Sequence, residues 1–239
     1  MKNYFMKKEK YFLIGLILII FILNYSFLDS ILIQNFQNSN TAKVQRIIDG
    51  DTIVADNETI RFLGINTPER GEKYYSEAKE FLEKTILNKT IRLEFVGETQ
   101  DKYYRTLAYV FLDDKNINIE LVEKGFANYY FYDGKDKYSE DLENAWEKCL
   151  ENKINLCKHS SHKCSSCIEI NSKKSIINNC EFSCDINNWE IKGEGRKKFL
   201  FNKTINSGET LEFDLDISSS GGTLFLRDSE GNLVLFENY

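Results

Sequence analysis

Apolar and polar residues alternate in short runs over the part of the chain that begins at residue 42, which is the period expected of β-strands. In the clearest run, Ile91, Leu93 and Phe95 would lie on one face of a strand and charged residues on the other. Asp-Gly at 49–50 is a turn signal between two such runs. The pattern predicts five strands, at 44–48, 52–55, 59–65, 90–96 and 107–112.

Apolar residues at helical spacing interrupt and follow these strands. Ala78, Phe81, Leu82 and Ile86, for example, would share one face of a helix. The pattern predicts helices at 76–87, 119–126 and 139–150. Five strands, with one helix after the third and two at the end, predict a closed five-stranded barrel of the OB type.

The composition changes after Leu156, where the chain becomes rich in Ser, Asn, Lys and Cys. Short strands resume near Trp189, separated by glycine-containing turns. The runs predict strands at 189–192, 198–201, 210–215, 223–227 and 233–236. We therefore predict a barrel domain at 42–158, a Cys-rich connector at 159–180 and a small β-sandwich at 181–239.

The first 33 residues have the composition of a targeting or anchoring segment. Four lysines, the last of them Lys10, precede an apolar run at 11–23 that continues with few interruptions to Ile33. Basic residues before an apolar core are typical of a signal anchor or a cleaved signal peptide, and the longer stretch reaches the roughly 20 residues of a membrane span. A buried helix is a third interpretation. We expect a membrane anchor at 1–33, a polar linker at 34–41, and an extracytoplasmic location for the rest.

All six cysteines fall in one part of the chain, between residues 149 and 184. An even number of clustered cysteines outside the cytoplasm favours disulfides, and six cysteines allow 15 connectivities, so the pairing stays open. Cys-x-x-Cys with two histidines nearby also has the spacing of a zinc site. The candidates for either disulfides or zinc are Cys157, Cys164, Cys167, Cys180 and Cys184.

The chain is acidic, with a formal net charge of -6. Residues 41–150 alone carry 16 Lys and Arg against 22 Asp and Glu. Tight non-specific binding to duplex DNA, which depends on neutralising many phosphates, is therefore not expected. A locally basic pocket that receives a short single strand remains compatible with this charge.

Three polar segments at predicted strand ends carry the residue types that phosphodiester hydrolysis requires. Arginine presents paired donors to phosphate oxygens, and Arg61 and Arg105 are candidates. A carboxylate such as Glu69 can orient or deprotonate an attacking water. Asp51 can help to hold a hard cation, which prefers oxygen ligands.

These segments resemble the staphylococcal-nuclease family. The matching motifs are Asp-Gly-Asp-Thr at 49–52, Arg-x-x-Gly-Ile-x-Thr-Pro-Glu at 61–69 and Asp-Lys-Tyr-x-Arg-x-Leu-Ala-Tyr-Val at 101–110. They occur in the family's order, and the resemblance covers residues 42–158. It implies an OB-fold nuclease that acts on DNA, and on RNA as well, with one bound Ca²⁺.

The resemblance also implies a role for each matching residue. Arg61, Glu69 and Arg105 correspond to the catalytic side chains, with the arginines on the phosphate and the glutamate on the water. The metal site would comprise Asp51, Asn66 and the carbonyl of Thr67. Lys102 and Tyr103 match positions that contact the nucleotide phosphate. Tyr129, Tyr130 and Tyr132 could offer surfaces for base stacking, although tyrosines in such a cluster are more often packed in the core or at its rim.

Two residues depart from the family pattern. Asn66 stands where the family has a second calcium carboxylate, so we expect weaker calcium binding, which extracellular sites tolerate at dissociation constants of about 10⁻⁴–10⁻³ M. Tyr104 stands where the family usually has glycine, and its bulk is expected to displace Arg105 slightly.

The C-terminal segment resembles a lamin-tail domain, an immunoglobulin-like sandwich. The resemblance rests on a tryptophan strand at 185–191, a glycine turn at 205–211 and an Asp-x-x-Gly hairpin at 222–234. It implies a binding or anchoring role for this module. The function predicted for the chain is an extracytoplasmic, calcium-dependent nuclease. The alternatives are a nucleic-acid-binding protein that has lost turnover and a surface adhesion protein.

Overall fold

A computed structural model describes residues 40–131, 134–172, 174–195, 197–217 and 222–239. The predicted anchor at 1–33 and nearly all of the predicted linker lie outside these residues. Within them, no helix is both long enough and apolar enough to cross a membrane. Residues Ala42–Tyr239 form one compact unit.

The first part of this unit is a barrel of five main strands. They form a sheet in the order β3-β2-β1-β5-β6, and a parallel pairing of β3 with β6 closes it. Two short strands, β4 and β8, pair with each other, and the short strand β7 pairs antiparallel with β6. The strands are β1 (Thr41–Ile47), β2 (Thr52–Ala55), β3 (Glu58–Phe62), β4 (Ile65–Asn66), β5 (Thr90–Glu94), β6 (Thr106–Leu112), β7 (Lys115–Asn116) and β8 (Asn128–Tyr129).

Three helices accompany the barrel, as the sequence predicts: α1 (Tyr75–Ile86), α2 (Ile117–Glu123) and α3 (Ser139–Asn152). Helix α2 begins two residues earlier than predicted because the Asn116 side chain accepts hydrogen bonds from the first free amides of the helix. The apolar faces of the helices pack with the barrel strands in one core. The predicted OB-type barrel with three helices is thus confirmed.

One predicted strand, 59–65, is broken in the structure. It forms β3 and β4, separated by Gly64, which has a φ of 71°. A Cβ atom at this glycine would lie 2.6 Å from the Tyr109 hydroxyl and from Leu142. Close packing of the chain against α3 therefore requires glycine here, and the resulting turn redirects the segment that follows β3.

The C-terminal part is a β-module of several small sheets. Strands β13, β12, β16 and β17 form a four-stranded antiparallel sheet, β15, β10 and β9 form a second sheet, and β11 pairs with β14. The strands are β9 (Ile168–Ser172), β10 (Ser175–Asn178), β11 (Cys184–Asp185), β12 (Glu190–Lys192), β13 (Lys198–Leu200), β14 (Thr204–Ile205), β15 (Thr210–Glu212), β16 (Thr223–Arg227) and β17 (Leu233–Asn238).

The predicted connector at 159–180 contains two of these strands. Strand β10 pairs with β15 far along the chain, so this stretch belongs to the β-module instead of leading up to it. The polar composition of the stretch hid strands that are held by disulfides as well as by apolar side chains. The resemblance of the C-terminal segment to a lamin-tail domain remains a prediction.

All six cysteines are paired in three disulfides: Cys149–Cys157, Cys164–Cys184 and Cys167–Cys180. The first joins the end of α3 to a 3-10 turn at Asn155–Cys157, and the other two cross-link the β-module. The sulfur atoms of Cys164, Cys180 and Cys184 lie within 4.8 Å of one another. Because disulfide sulfurs are not thiolates, this cluster serves as a cross-link and not as a zinc site in this structure.

Strand β16 is buried on both faces and joins the two parts. Leu224 and Leu226 belong to the core of the β-module. Phe225, which points the opposite way, packs edge-on against Trp146 of α3 with ring centroids 5.5 Å apart. Because alternate residues of one strand fill two cores, the β-module is anchored to the barrel domain and is not a freely tethered appendage.

We expect Phe225→Ala to lower the free energy of unfolding by about 3–5 kcal/mol, because it opens a cavity between α3 and β16. Leu200→Ala, on the exposed side of β13, is the matched control and should cost no more than about 0.5 kcal/mol. Urea denaturation followed by tryptophan fluorescence measures both. Equal losses in the two variants would show that the Phe225 contact does not stabilise the fold.

Candidate active site

Asp51 lies directly after the turn between β1 and β2, and its carboxylate is buried. Its Oδ2 accepts hydrogen bonds from the amide and the hydroxyl of Thr67, both at 2.9 Å. Its Oδ1 accepts one from the Thr52 hydroxyl at 3.0 Å and lies 3.2 Å from Nε of Arg61. Burial alone would raise the pKa of Asp51, but the charge of Arg61 and these hydrogen bonds outweigh it and hold the pKa below its ordinary value.

Gly50 allows the Asp51 turn to approach its neighbours closely. A Cβ atom at residue 50 would lie 2.8 Å from Cβ of Ala78 in α1 and 2.9 Å from the side chain of Thr67. These distances are too short for any other residue without a shift of the backbone. The Asp-Gly-Asp-Thr motif therefore supplies both the carboxylate and the space that brings it against Thr67.

Arg61 extends from β3, and four contacts with the protein hold its guanidinium group. Nη1 donates to the carbonyl of Phe62 at 2.6 Å, and Nη2 donates to the carbonyl of Ile65 at 2.9 Å. Nη2 also donates to Oδ1 of Asn66 at 3.2 Å. With Asp51 facing Nε, the guanidinium is fixed in place before any ligand binds.

The loop after β4 carries Thr67, Pro68 and Glu69. Thr67 is pinned to Asp51, and Pro68 is buried. The amide of Glu69 donates to the carboxylate of Glu72 at 2.9 Å, while the amide of Glu72 donates back to the carbonyl of Glu69 at 2.9 Å. This reciprocal pair forms a tight turn that determines the path of the main chain at Glu69.

Asn66 is buried beside Arg61, and both ends of its amide are engaged. Oδ1 accepts from Arg61, and Nδ2 donates to the main-chain carbonyl of Glu194 in the β-module at 3.0 Å. Because guanidinium only donates and a carbonyl only accepts, only one orientation of the amide satisfies both partners. The predicted calcium ligand therefore offers its one side-chain oxygen to Arg61.

Arg105 immediately precedes β6. Its Nε and Nη2 lie 2.7 and 2.6 Å from Oδ2 of Asp101. Leu107, two residues later, is in parallel register with Arg61, so strand geometry places the two arginine main chains roughly 8 Å apart. The structure thus places Arg61 on β3 and Arg105 directly before the neighbouring strand β6.

Tyr104 adopts the left-handed conformation that glycine would adopt, with a φ of 60°. Its side chain is 85% exposed, so its bulk points to solvent. This conformation costs the backbone of Tyr104 roughly 1–2 kcal/mol. The expected displacement of Arg105 stays a prediction. Asp101 supports this turn by accepting hydrogen bonds from the amides of Tyr103 and Arg105.

The predicted substrate-binding residues fall into two groups. Lys102 and Arg105 both lie over the ring of Tyr103, at 5.2 and 5.5 Å from its centroid, and that ring is 64% exposed. Tyr130 is half-buried, and its amide donates to the carbonyl of Gly64. Tyr132 lies outside the described residues.

Tyr129, the third tyrosine of the predicted stacking surface, is a core residue. Its ring is buried and stacks on Phe131. Its hydroxyl makes hydrogen bonds with Asn238 and Thr223 of the β-module. It serves to join the two parts of the fold and offers no surface to a base.

The residues around Asp51 fit a hard divalent cation. The donor set consists of oxygen atoms, namely the Asp51 carboxylate and the main-chain carbonyl of Thr67 that the sequence analysis assigns. Two of the hydrogen bonds to Asp51 come from the hydroxyls of Thr52 and Thr67, which can rotate away when a cation approaches. The single carboxylate in this set implies weak binding.

Sequence reasoning missed the contribution of the β-module to this site. The segment from Asn66 to Lys73 includes Glu72, whose carboxylate accepts the amide of Glu69. The same segment is contacted by Lys192 and Glu194 of the β-module. Only Glu72 stands near a recognised motif. The other two come from a strand and a turn more than 100 residues away, so no local pattern identifies them.

Comparison with known proteins places this site in context. The family described as Staphylococcal nuclease homologue matches residues 59–159. A thermonuclease of Staphylococcus intermedius is 38% identical over 123 residues, which are 47% of this chain and 73% of that protein. A thermonuclease of Staphylococcus hyicus is 36% identical over 129 residues, which are 50% of this chain and 76% of that protein. An uncharacterized endonuclease of Haemophilus influenzae is 35% identical over 118 residues, which are 47% of this chain and 65% of that protein.

The lowered pKa of Asp51 makes its contribution to stability depend on pH. A carboxyl whose pKa is lower in the folded state stabilises the protein above its ordinary pKa, and this stabilisation is lost as the pH falls through the folded value. We expect Asp51→Asn to cost on the order of 3 kcal/mol at pH 7, with the difference from wild type shrinking below about pH 4. Urea denaturation between pH 7 and 3 measures it, with Asp214→Asn, an exposed carboxylate, as the control. If the difference in unfolding free energy between wild type and Asp51→Asn stays constant with pH, the pKa of Asp51 is not lowered by folding.

Proposed function

The chain belongs to the staphylococcal nuclease family, and from that premise we propose that it is a calcium-dependent nuclease acting outside the cytoplasm. Family membership makes it a nucleic-acid hydrolase. The metal, the location and the preferred strand are our inferences. The observation that carries the proposal is the contact of Asp51, Arg61 and Thr67 beside the loop that bears Glu69.

Arg61 and Arg105 would both bind the phosphate, each from a different side. Arg61 is buried and fixed by carbonyls and by Asp51, so it presents a preorganised charge. The side chain of Arg105 is 22% exposed and is bound to Asp101 alone among acidic partners in the described residues. Arg105 would close on the phosphate from the solvent side, and the Asp101 pair would hold it ready in the absence of substrate.

Glu69 would orient the attacking water and accept its proton. The loop geometry supports this role because the main chain of Glu69 is fixed two residues after Thr67, next to the proposed metal ligands. Bound Ca²⁺ would lend positive charge to the developing phosphorane and polarise the phosphoryl group. Asp51 and the Thr67 carbonyl would hold the cation, with Asn66 at its edge.

Single-stranded nucleic acid fits the surface better than duplex. The acidic composition of the domain disfavours extended contact with paired phosphates. The exposed Tyr103 ring, with Lys102 and Arg105 over it, combines a stacking face with positive charge, which is the usual means of binding an unpaired base.

The proposed location rests on two features. The basic and apolar pattern at 1–33 is typical of an anchor or export signal. Three disulfides are typical of proteins that fold in an oxidising compartment. We propose that the chain is anchored in the membrane by its N-terminal segment, or secreted if that segment is cleaved, with the nuclease on the outer side.

We expect the purified chain to shorten single-stranded DNA in the presence of Ca²⁺ and to stop on chelation. Glu69→Ala should lower the rate at least about 100-fold, because water activation and positioning are lost together. Glu83→Ala, an exposed glutamate on α1, is the matched control and should cut like wild type. Gel electrophoresis of a labelled oligonucleotide measures the rate.

The alternative is a binding protein without turnover, which the replacement of a family carboxylate by Asn66 favours. It predicts that the wild-type chain retards the oligonucleotide in a gel but never shortens it, with or without Ca²⁺. That result would overturn the nuclease proposal.

The stacking role of Tyr103 gives a separate prediction. Tyr103→Ala should raise KM about 10-fold and leave kcat nearly unchanged, because loss of one base-stacking platform weakens binding by about 1–3 kcal/mol. Phe182→Ala, a partly exposed aromatic residue of the β-module, is the control and should change neither constant. Steady-state kinetics on single-stranded DNA decide the matter, and an unchanged KM in Tyr103→Ala would exclude the stacking role.

A further inference from the structure

Glu72 is one of the residues through which the β-module contacts the catalytic loop, the segment from Asn66 to Lys73 that bears Glu69. Its carboxylate accepts the amide of Glu69 and is approached by two lysines of the module. Nζ of Lys192 lies 2.9 and 3.2 Å from its two oxygens, and Nζ of Lys198 lies 3.0 Å from one of them. One carboxylate thus links the main chain of Glu69 to two strands of the β-module.

These ion pairs are not ordinary surface contacts. Lys192 is only 8% exposed, and its partner Glu72 is half-buried. Burial would raise the pKa of Glu72, but the charge of Lys192 and the hydrogen bonds it receives hold the pKa below its usual value. Among the described residues, Glu72 is the carboxylate that pairs with this buried ammonium, so Lys192 has a strong preference for one position, unlike an exposed lysine.

Two further contacts hold the same loop from either side. At its start, Asn66 donates to the carbonyl of Glu194, and the Glu194 carboxylate accepts from the amide of Phe131. At its end, Lys73 donates to the carbonyl of Glu230 at 2.7 Å and to Oδ1 of Asn232 at 3.2 Å. The β-module therefore holds the segment from Asn66 to Lys73 at its start through Asn66 and at its end through Glu72 and Lys73, and Glu72 passes this support to the Glu69 amide.

The β-module is firm enough to act as a support. Phe225 of β16 fills the barrel core against Trp146, and Arg227 on the same face of β16 donates to the carbonyl of Leu156 at 2.6 Å. Lys192 lies on β12, which pairs directly with β16 in the register Lys192↔Phe225. A shift of the Lys192 main chain would therefore require the sheet to move relative to α3.

We propose that Lys192 of the β-module is a positioning residue of the nuclease site, which acts through the Glu72 carboxylate to hold the main chain of Glu69. The proposal rests on the proposed function in so far as Glu69 serves catalysis, but the support itself is a property of the fold. Lys198 shares the contact with Glu72 from the neighbouring strand β13. The module thereby becomes part of the catalytic apparatus without touching the substrate.

This arrangement also accounts for Asn66. A carboxylate at this position would direct an oxygen at the carbonyl of Glu194, where the amide Nδ2 of Asn66 now donates. Two acceptors facing each other in a buried site repel. The amide is therefore the side chain that accommodates the module, and the weaker calcium binding expected from the sequence would be the consequence.

Lys192→Met in the full chain removes the charge and keeps the length of the side chain. We expect kcat on single-stranded DNA to fall about 10- to 100-fold, as displacements of about 1 Å do elsewhere, and KM to change less than about threefold. Lys192→Arg should restore most of the rate. Lys203→Met, which breaks the exposed Lys203–Glu209 pair of the same module, is the matched control and should behave like wild type.

A double-mutant cycle separates positioning from general loss of stability. If Lys192 acts through Glu72, then Lys192→Met added to Glu72→Gln should lower kcat little further, because both changes remove the same support. Two independent, multiplying losses of rate would overturn the proposal. Thermal unfolding of each variant, with kinetics measured well below the transition, excludes partial unfolding as the cause.

Amide hydrogen exchange tests the support without reference to activity. In Lys192→Met, peptides covering residues 66–73 should exchange at least about 10-fold faster than in wild type, while Lys203→Met leaves them unchanged. Unchanged exchange in Lys192→Met would overturn the proposal even if the wild-type chain cuts DNA. Faster exchange in a chain that does not cut DNA would support the positioning role and overturn only the proposed function.

Discussion

The site depends on a buried ion pair between Asp51 and Arg61. Neither charge would be stable away from water alone, and each is completed by other groups: Thr67 and Thr52 for the carboxylate, and main-chain carbonyls for the guanidinium. The pair joins the β1–β2 turn, strand β3 and the loop after β4. Gly50 lets the β1–β2 turn approach Thr67 and α1 closely, which this contact requires.

A second ion pair, between Lys192 of the β-module and Glu72, fixes the loop that follows. Thr67 is fixed by Asp51 from within the barrel, whereas Glu69 is fixed by Glu72, which the module holds from outside. The loop from Asn66 to Lys73 is therefore held between the barrel domain and the β-module, whose cores both include residues of strand β16. A module whose sequence suggests anchoring or binding is a structural part of the site, and its removal would expose both the Trp146 side chain of α3 and the loop.

Much of the barrel and most of the site could be predicted because their signals are local. Alternation marks the strands, and each motif carries its own turn residue and its own functional side chain within a few positions. What could not be predicted depends on contacts between distant segments. Glu194 and Lys192 lie in plain polar sequence, and their importance appears only when the module is docked. The sequence leaves both base stacking and core packing open for Tyr129, and its burial beside Asn238 and Thr223 likewise appears only when the module is docked.

The most direct test of the account is a crystal structure of the full chain with Ca²⁺ and a short phosphorothioate DNA strand that resists cleavage. The account predicts a cation bound by the carboxylate of Asp51 and the carbonyl of Thr67, with one phosphate between Arg61 and Arg105 and a water beside Glu69. A cation held elsewhere, or a strand lying on a surface that excludes both arginines, would contradict it.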